Sequence, residues 1–346
     1  SPADVLLALL GHPNIASKAN IIHRYDHEIR GATMVRPLVG AVGDGHGDGV
    51  VVAEPTDDFG IAIGIGVNPW HGILDAERMA LCAVDEALRN VVAVGADPDK
   101  VALLDNFSWG NPQRATTLGE LVAAVDGCCQ GALAFTAPFV SGKDSLNNEY
   151  MGADGNRHSV PPTLVITAIA HVPQAEATVT ADLKKSGNVL LLTGNTEPEF
   201  GASHASMVCL HPIETSGVVP AFDVNAPQRY RHLHQAILQG LVVACHDCSE
   251  GGVAVTIAEM CIGGRLGAQM SLLSQLEPAT DLCTLLFSES LGRHIVEVEP
   301  HNLAAFQQLV GQSQIIGTVT NQQSLILSDG AALSMQTLLG AWQNGQ

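Results

Sequence analysis

From residue 60 to 67, glycine or alanine alternates with Ile61, Ile63, Ile65 and Val67. This is the period-two pattern of a strand with one nearly bare face. Sheet or barrel packing accounts for such a face, and so does the close approach of another group. Ahead of it, the turn Asp44-Gly45-His46-Gly47-Asp48-Gly49 feeds the apolar run Val50-Val51-Val52-Ala53. The longest helix is expected from Ala76 to Val94, with Asp75 as N-cap and Gly95 as its stop. Met79, Ala80, Ala83, Ala87, Leu88 and Val91 make its apolar face, and Glu77, Asp85, Glu86 and Arg89 mark the other side. Val101 to Leu104 reads as a buried strand ending at Asp105, and Thr163 to Ile166 starts another.

Apolar patterning gives way to a polar stretch at Pro173-Gln174-Ala175-Glu176. Beyond it, strands are expected at Val189 to Leu192, Leu241 to Ala244, Ile295 to Val298 and Ile315 to Val319. Helices are expected at Gly252 to Met260, Leu303 to Leu309 and Leu333 to Trp342. Alternating strands and helices predict an α/β sandwich. At 346 residues the chain exceeds the usual single core, so two domains are expected, 1–172 and 173–346.

Composition narrows the function classes. The chain is 46% hydrophobic and 15% charged, as a globular enzyme is. With 16 basic against 35 acidic residues, a net charge of −19 and 4% aromatics, it lacks the basic grooves and stacking platforms of nucleic-acid binding. The charge also opposes an anionic membrane surface, and no apolar stretch of membrane-spanning length stands out. A phosphate ligand remains admissible, because metal ions, helix N-termini and backbone N–H groups supply local positive potential. Eight irregularly spaced cysteines predict reduced thiols and a cytoplasmic protein, with Cys128-Cys129 packed on a helix rather than bonded. The opening Ser1-Pro2-Ala3-Asp4 is what a processed chain or a fragment is expected to show.

Three segments offer chemistry. Val140-Ser141-Gly142-Lys143-Asp144-Ser145 is expected to be a loop, in which glycine admits phosphate oxygens, lysine adds charge, and hydroxyl and carboxylate can serve Mg²⁺. It lacks the upstream glycine of a Walker loop, and an ordinary turn would have the same composition. Asp105, at a strand end before Asn106-Phe107-Ser108-Trp109-Gly110-Asn111-Pro112, suits a ligand crevice or a turn cap equally. Cys245-His246-Asp247-Cys248-Ser249-Glu250-Gly251-Gly252 has no matching second ligand pair for zinc, so a polar strand-to-helix turn is expected there. His23, His27, His204 and His294 show no partner pattern that makes them catalytic.

Taken in order, these segments resemble the second half of the phosphoribosylformylglycinamidine synthases. The resemblance runs from Asn14-Ile15-Ala16-Ser17-Lys18 and Tyr25-Asp26-His27-Glu28 through Arg89 to Ala96, Asp105 and Gly110-Asn111-Pro112. It continues through Ser141-Gly142, Asn148-Glu149, Pro162-Thr163, His246-Asp247 with Gly251-Gly252, and Phe287-Ser288-Glu289-Ser290 before Gly292-Arg293, and so covers essentially the whole chain. It implies the aminoimidazole ribonucleotide synthase fold: a mixed N-terminal domain whose strands pair into a barrel, then an α/β sandwich. The implied reaction joins ammonia, delivered from glutamine by a separate glutaminase unit, to formylglycinamide ribonucleotide at the expense of ATP. ATP would phosphorylate the amide oxygen and ammonia displace phosphate from the iminophosphate.

Carried over by position, the resemblance implies that Asp105 and Gly142 bind ATP and that Ser145 contacts substrate. Lys143 stands where many members have a metal-binding asparagine. A protonated lysine cannot ligate Mg²⁺, which leaves Lys143 to contact phosphate and Asp144 to serve the metal. Asn90 beside Arg89, where the family's first half has Arg-Asp, fits a site that lost one metal carboxylate. No catalytic base is assigned, because the family's catalytic histidine segments belong to its first half. The chain is therefore expected to need that half, with two alternatives: a non-catalytic nucleotide-binding half, or a free-standing homodimeric synthase.

Overall fold

The computed structural model describes residues 1–345 except 25–27, 29, 55, 210–217 and 273–280. The Tyr25-Asp26-His27 segment thus lies outside the described residues. The chain opens with α1 (Pro2–Leu10) and α2 (Ala19–Ile22), followed by the short ribbon of β2 (Leu38–Val39) and β3 (Gly45–His46). The first large sheet has six strands in the order β1 (Thr33–Val35), β4 (Gly49–Val52), β5 (Gly60–Gly66), β10 (Thr163–Val172), β6 (Val101–Ser108), β7 (Phe139–Ser145). Its pairs are antiparallel except β6 with β7. The helices α3 (Pro69–Leu74), α4 (Ala76–Ala93) and α5 (Ala115–Phe135) lie between its strands in sequence, and β8 (Glu149–Met151) pairs with β9 (Arg157–Ser159) in a hairpin.

The second sheet has seven strands in the order β12 (Ala244–Asp247), β14 (His294–Val298), β11 (Val189–Thr193), β15 (Ser313–Thr320), β13 (Gly267–Met270), β16 (Ser324–Ile326), β17 (Ala332–Ser334). Helices α7 (Ala226–Leu238) and α10 (Leu303–Val310) pack against one core cluster with Leu191, Val296 and Val298, while α8 (Gly252–Gly264) and α11 (Met335–Asn344) pack in another with Leu190, Leu192 and Ile295. Successive strand residues thus feed opposite cores, as the alternation of side chains requires. The short helices α6 (His204–Val208) and α9 (Leu282–Phe287) complete this unit. It is the sandwich expected from the alternation of strands and helices.

The first fifteen residues contribute to this second unit: Leu6, Leu9, Leu10 and Ile15 are buried in the cluster with Val253, Ile257 and Trp342. Each fully buried leucine there is worth about 1.5–3 kcal/mol. Helix α1 begins on a capping box, with the Ser1 hydroxyl accepting from the Asp4 N–H and the Asp4 carboxylate returning to the Ser1 backbone.

The bare face at residues 60–67 has its explanation in packing. A Cβ on Gly66 would stand 2.0 Å from the Ala83 carbonyl oxygen, and one on Gly64 would stand 2.9 Å from that of Ala87. Glycine therefore lets α4 lie directly on β5. The isoleucines occupy the opposite face. Ile61 is 47% and Ile65 49% exposed, and across the strands they register with His171 and Thr167. Ile169, on the same face, is 37% exposed.

Several boundaries differ from expectation. The longest helix is α5, at 21 residues, against 18 for α4. Gly119, Gly127 and Gly131 interrupt its propensity, and its burial is confined to a narrow stripe. By length and composition α5 is apolar enough to cross a membrane, contrary to the expectation that no such stretch exists. Its glycines fit it to α4: a Cβ at Gly127 would meet the Glu77 carbonyl oxygen at 2.3 Å, and one at Gly131 would meet Val84 at 2.9 Å. The strand expected at Leu241 to Ala244 instead spans Ala244–Asp247. Gly240, at φ +67°, closes α7, and the Leu241 N–H is spent on the Ala236 carbonyl oxygen.

The contrast between glycines of α5 is testable by urea denaturation. A Cβ at Gly119 meets nothing within 4 Å, so Gly119→Ala is expected to stabilise by about 0.5–1 kcal/mol through helix propensity. Gly127→Val is expected to destabilise by about 1–3 kcal/mol, because the α4 backbone has to move.

Candidate functional site

The residues picked from the sequence lie on two adjacent strands. The segment expected as a loop is the edge strand β7, parallel to β6, which runs on past Asp105 to Ser108. Parallel pairing, rather than glycine content, decides the conformation here. The register sets Asp105 opposite Gly142, Asn106 opposite Lys143, Phe107 opposite Asp144 and Ser108 opposite Ser145. A Cβ on Gly142 would fall 2.4 Å from Asp105 Oδ1, so the missing side chain is what lets the Asp105 carboxylate lie across β7.

Alternation then divides the five residues between two faces. Asp105 and Asp144 share the face toward α5, where burial and then the Asp144 charge raise the Asp105 pKa. Lys143 and Ser145 share the open face, where the lysine ammonium donates to the Ser145 hydroxyl. The structure therefore brings together one carboxylate pair and one ammonium–hydroxyl pair, on opposite sides of the same strand.

A second constellation, which the sequence reading did not single out, fills the cleft between the two units. Asp48, Glu86 and Asn90 from the first unit and His246, Asp247, Ser249 and Glu250 from the second line a cavity of about 180 Å³. A neighbouring cavity of about 350 Å³ shares His46 and Asp48 and is walled by Val50, Ile63, Ile65 and Lys18. Its lining is largely apolar, so the two together offer a polar end and an apolar end.

Burial determines the electrostatics of this cleft. The Asp48 side chain is 1% exposed and rises to about 6 through desolvation, against the opposing pull of His246. His246 Nδ1 lies 2.5 Å from Asp48 Oδ1, and His246 Nε2 lies 3.1 Å from Glu259 Oε2. Burial would lower His246, but these carboxylates outweigh it and hold the imidazole protonated well above its usual range. Glu86 is pushed well above the carboxylate range by burial and then by Glu250. Asp247, although desolvated, is held low by Arg89 and His246.

Arg89 organises the cleft from beneath. Its guanidinium, 1% exposed, donates to Asp85, to Asp247 Oδ2 at 3.1 Å and to the Ser249 hydroxyl at 3.2 Å. Ser249 in turn donates to Glu86 Oε1 at 3.2 Å. Asp85 also accepts from the Tyr230 hydroxyl at 2.7 Å and from the Gly292 N–H at 3.1 Å, and Asn90 Nδ2 donates to the Ile65 carbonyl oxygen at 2.8 Å.

The carboxylates fit a hard cation. Asp48, His246 and Asp247 each place a ligand atom within 4.8 Å of the others, His246 becoming a ligand only on losing its proton, and Asp48 Oδ2 is buried without a hydrogen-bond partner. Carboxylate oxygens of this kind suit Mg²⁺, and the cleft offers Asp48, Glu86 and Asp247 to hold it. Where β6 meets β7, the Asp105–Asp144 pair is the corresponding acidic feature.

The polar side of α4 is the signal in the sequence for this cleft. Asp85 and Arg89 are buried, and Glu86 lines the cleft, so this part of the polar side faces the second unit. Spacing of four from Asp85 to Arg89 and from Glu86 to Asn90 puts both pairs on one helical stripe. Cys245 and Cys248 are buried free thiols outside the metal-competent group, and Cys128 and Cys129 are likewise free. Of the histidines without a catalytic partner pattern in the sequence, His204 has its Nδ1 3.3 Å from Glu289, and buried His294 has its Nε2 3.1 Å from the Arg89 carbonyl oxygen.

Residues 44–172 match the family described as AIR synthase related protein, N-terminal domain, and residues 185–330 match the corresponding C-terminal domain. The chain is 36% identical over 301 residues to the phosphoribosylformylglycinamidine synthase subunit PurL of Deinococcus radiodurans, covering 85% of this chain and 38% of that one. It is 34% identical over 318 residues to the PurL subunit of Methanocaldococcus jannaschii, covering 91% and 42%. It thus spans about two fifths of the length of these relatives. The structure of T. maritima PurL complexed with FGAR has the same fold, with a TM-score of 0.73 at 18% identity over 98% of this chain and 53% of that one.

The pH dependence of stability follows from a buried histidine at the edge of the cleft. Burial, aided by His204 and opposed by Glu289, lowers His71 to about 4. The unfolded chain therefore binds the proton that the folded chain refuses. The stabilisation is complete above about 6.5 and is lost as pH falls toward 4, by on the order of 3 kcal/mol. Urea melts between pH 7 and 4.5 are expected to show this loss, and His71→Gln to flatten it.

Proposed function

Since the chain belongs to the AIR synthase related proteins through both of its domains, we propose that it is the C-terminal half of an ATP-dependent phosphoribosylformylglycinamidine synthase. In this reading, ammonia released from glutamine by a glutaminase unit is joined to formylglycinamide ribonucleotide. The observation that carries the reading is the placement of Lys143 and Ser145 on the open face of the six-stranded sheet, beside its unpartnered edge. Neither residue has a wall opposite it among the described residues, so a complementary unit has to supply the rest of the site. The apolar Ile61, Ile65 and Ile169 on the same face supply the surface for that unit, which is the N-terminal half or a second copy.

Each residue then has a physical task. Lys143 presents a point charge to a phosphate, and Ser145, already accepting from it, offers a hydroxyl to the ribonucleotide. On the other face of β7, toward α5, Asp105 lies across Gly142 as the proposed nucleotide contact, and Asp144 shares that face as the proposed magnesium ligand. When bound, the metal supplies charge neutralisation at the phosphates. The chain's own contribution is positioning, which accounts for much of the barrier in phosphoryl transfer. The general base lies outside these residues. Eight free thiols accord with a cytoplasmic setting.

A second role is favoured by the cleft. Its polar cavity with Asp48, Glu86 and Asp247, continuous with an apolar one, suits a nucleotide and Mg²⁺ held for structure rather than turnover.

Reconstitution tests the proposal. The folded chain alone is expected to give no product from ATP, ammonia and formylglycinamide ribonucleotide, and mixing with the complementary half is expected to restore it. Lys143→Ala and Ser145→Ala should lower kcat/KM about 10- to 100-fold in the mixture. Turnover by the chain alone would point to a homodimeric synthase, and no rescue on mixing would overturn the assignment.

A further inference from the structure

The mechanism leaves Glu149 without a task, although its surroundings are among the most restrictive on the open side of the first unit. Its side chain is 2% exposed in a hairpin whose next two residues, Tyr150 and Met151, are 66% and 62% exposed. Three donors from two segments converge on this carboxylate. The Asn111 N–H reaches Oε1 at 3.1 Å, Arg114 Nη2 reaches Oε2 at 2.8 Å, and Arg157 Nη1 lies 3.6 Å from Oε2. A Cβ on Gly110 would stand 2.3 Å from the Ser159 hydroxyl and 3.5 Å from Glu149 Oε1, so the hairpin is seated directly on the Gly110 backbone.

This anchor lies four residues beyond Ser145, and the chain between them is tied to the same loop. The Trp109 N–H donates to the Ser145 carbonyl oxygen at 2.9 Å, the Asn147 N–H to Gly110 at 3.0 Å, and the Asn148 N–H to Trp109 at 2.9 Å. Asn148 Nδ2 adds a bond to the Ser145 carbonyl oxygen at 2.9 Å. Asn147 holds φ +67°, a conformation asparagine tolerates but one that needs support from its surroundings. Strand β7 is an edge strand paired on one side alone, so the sheet fixes the Ser145 end less firmly than an interior strand.

We propose that Glu149 is a positioning residue for the ribonucleotide substrate. It locks the Gly110–Arg114 loop and the β8–β9 hairpin together and so fixes the Ser145 hydroxyl at the end of β7. The inference rests on the proposed role of Ser145. It gives Arg114 a part as well, because that guanidinium is the charged donor that holds the buried carboxylate. Asp105 on β6 and Gly142 on β7 pair three residues before Ser108 and Ser145, and none of the bonds of this lock involves them.

Steady-state kinetics of the enzyme assembled with its complementary half test it, with ribonucleotide and ATP varied separately. Glu149→Ala is expected to raise the KM for formylglycinamide ribonucleotide about ten-fold, and to leave kcat and the KM for ATP within about two-fold. Glu149→Gln, which keeps an acceptor for Asn111, should recover most of the loss, and Arg114→Ala should reproduce part of it. These last two keep the test decisive if Glu149→Ala does not fold. Equal changes in both KM values and kcat, or no change in either KM, would overturn the inference. Ser145→Ala separates the two levels. If it raises the ribonucleotide KM while the Glu149 and Arg114 variants do not, the lock alone is wrong. If it has no effect, the reading of the site is wrong.

Discussion

The buried guanidinium of Arg89, held between Asp85 and Asp247, is the interaction on which the site depends. It joins the central helix of the first unit to the strand end of the second, inside a chain whose net charge is −19. Removing one partner of a buried pair of this kind typically costs about 3–5 kcal/mol, because the other charge is left uncompensated. The pair is satisfied on every side: Asp85 by Tyr230 and Gly292, and Arg89 by Ser249. Its consequence is geometric. Asp48 and Glu86 from one unit and Asp247 from the other are fixed around a single cavity. Arg89 and His246 hold Asp247 low against burial, and His204 opposes the rise of the neighbouring Glu250.

The molecule thus carries two candidate regions of different character. The interdomain cleft is enclosed, its groups shifted by burial, and its residues come from both units. The β6–β7 edge is open, with Lys143 and Ser145 on a face that ends in isoleucines. An enclosed site suits retention of a ligand. An open edge suits a contribution to a site that another unit closes. The same glycines make both possible, since Gly64 and Gly66 bring α4 down onto β5 and thereby aim Glu86 and Asn90 at the cleft.

Several strands and helices, the α4 boundaries, and the two-unit plan with a sandwich in the second part were legible in the sequence, because period and capping residues are local signals, whereas β7 read as a loop and α7 was not foreseen. The bare strand face at residues 60–66 was legible as a face, though not which group approached it. Asp105 and Gly142 were singled out, yet their register across a parallel pair joins residues 36 or 37 positions apart and has no local signature. The cleft was hidden for a related reason. Asp48 sits in a glycine-rich turn, Glu86 on the polar side of a helix and Asp247 in a segment screened for cysteine ligands. Only the packing of α4 against β12 makes them neighbours.

As proposed, the chain holds a nucleotide in its own cleft and lends its β7 edge to a site completed elsewhere. Calorimetric titration of the chain with a non-hydrolysable ATP analogue, with and without Mg²⁺, tests this most directly. The account predicts one Mg²⁺-dependent site per chain, weakened at least about ten-fold by Asp48→Asn, a loss near 1.4 kcal/mol, and left within about two-fold by Asp105→Asn. Binding that is abolished by Asp105→Asn and indifferent to Asp48→Asn would contradict it.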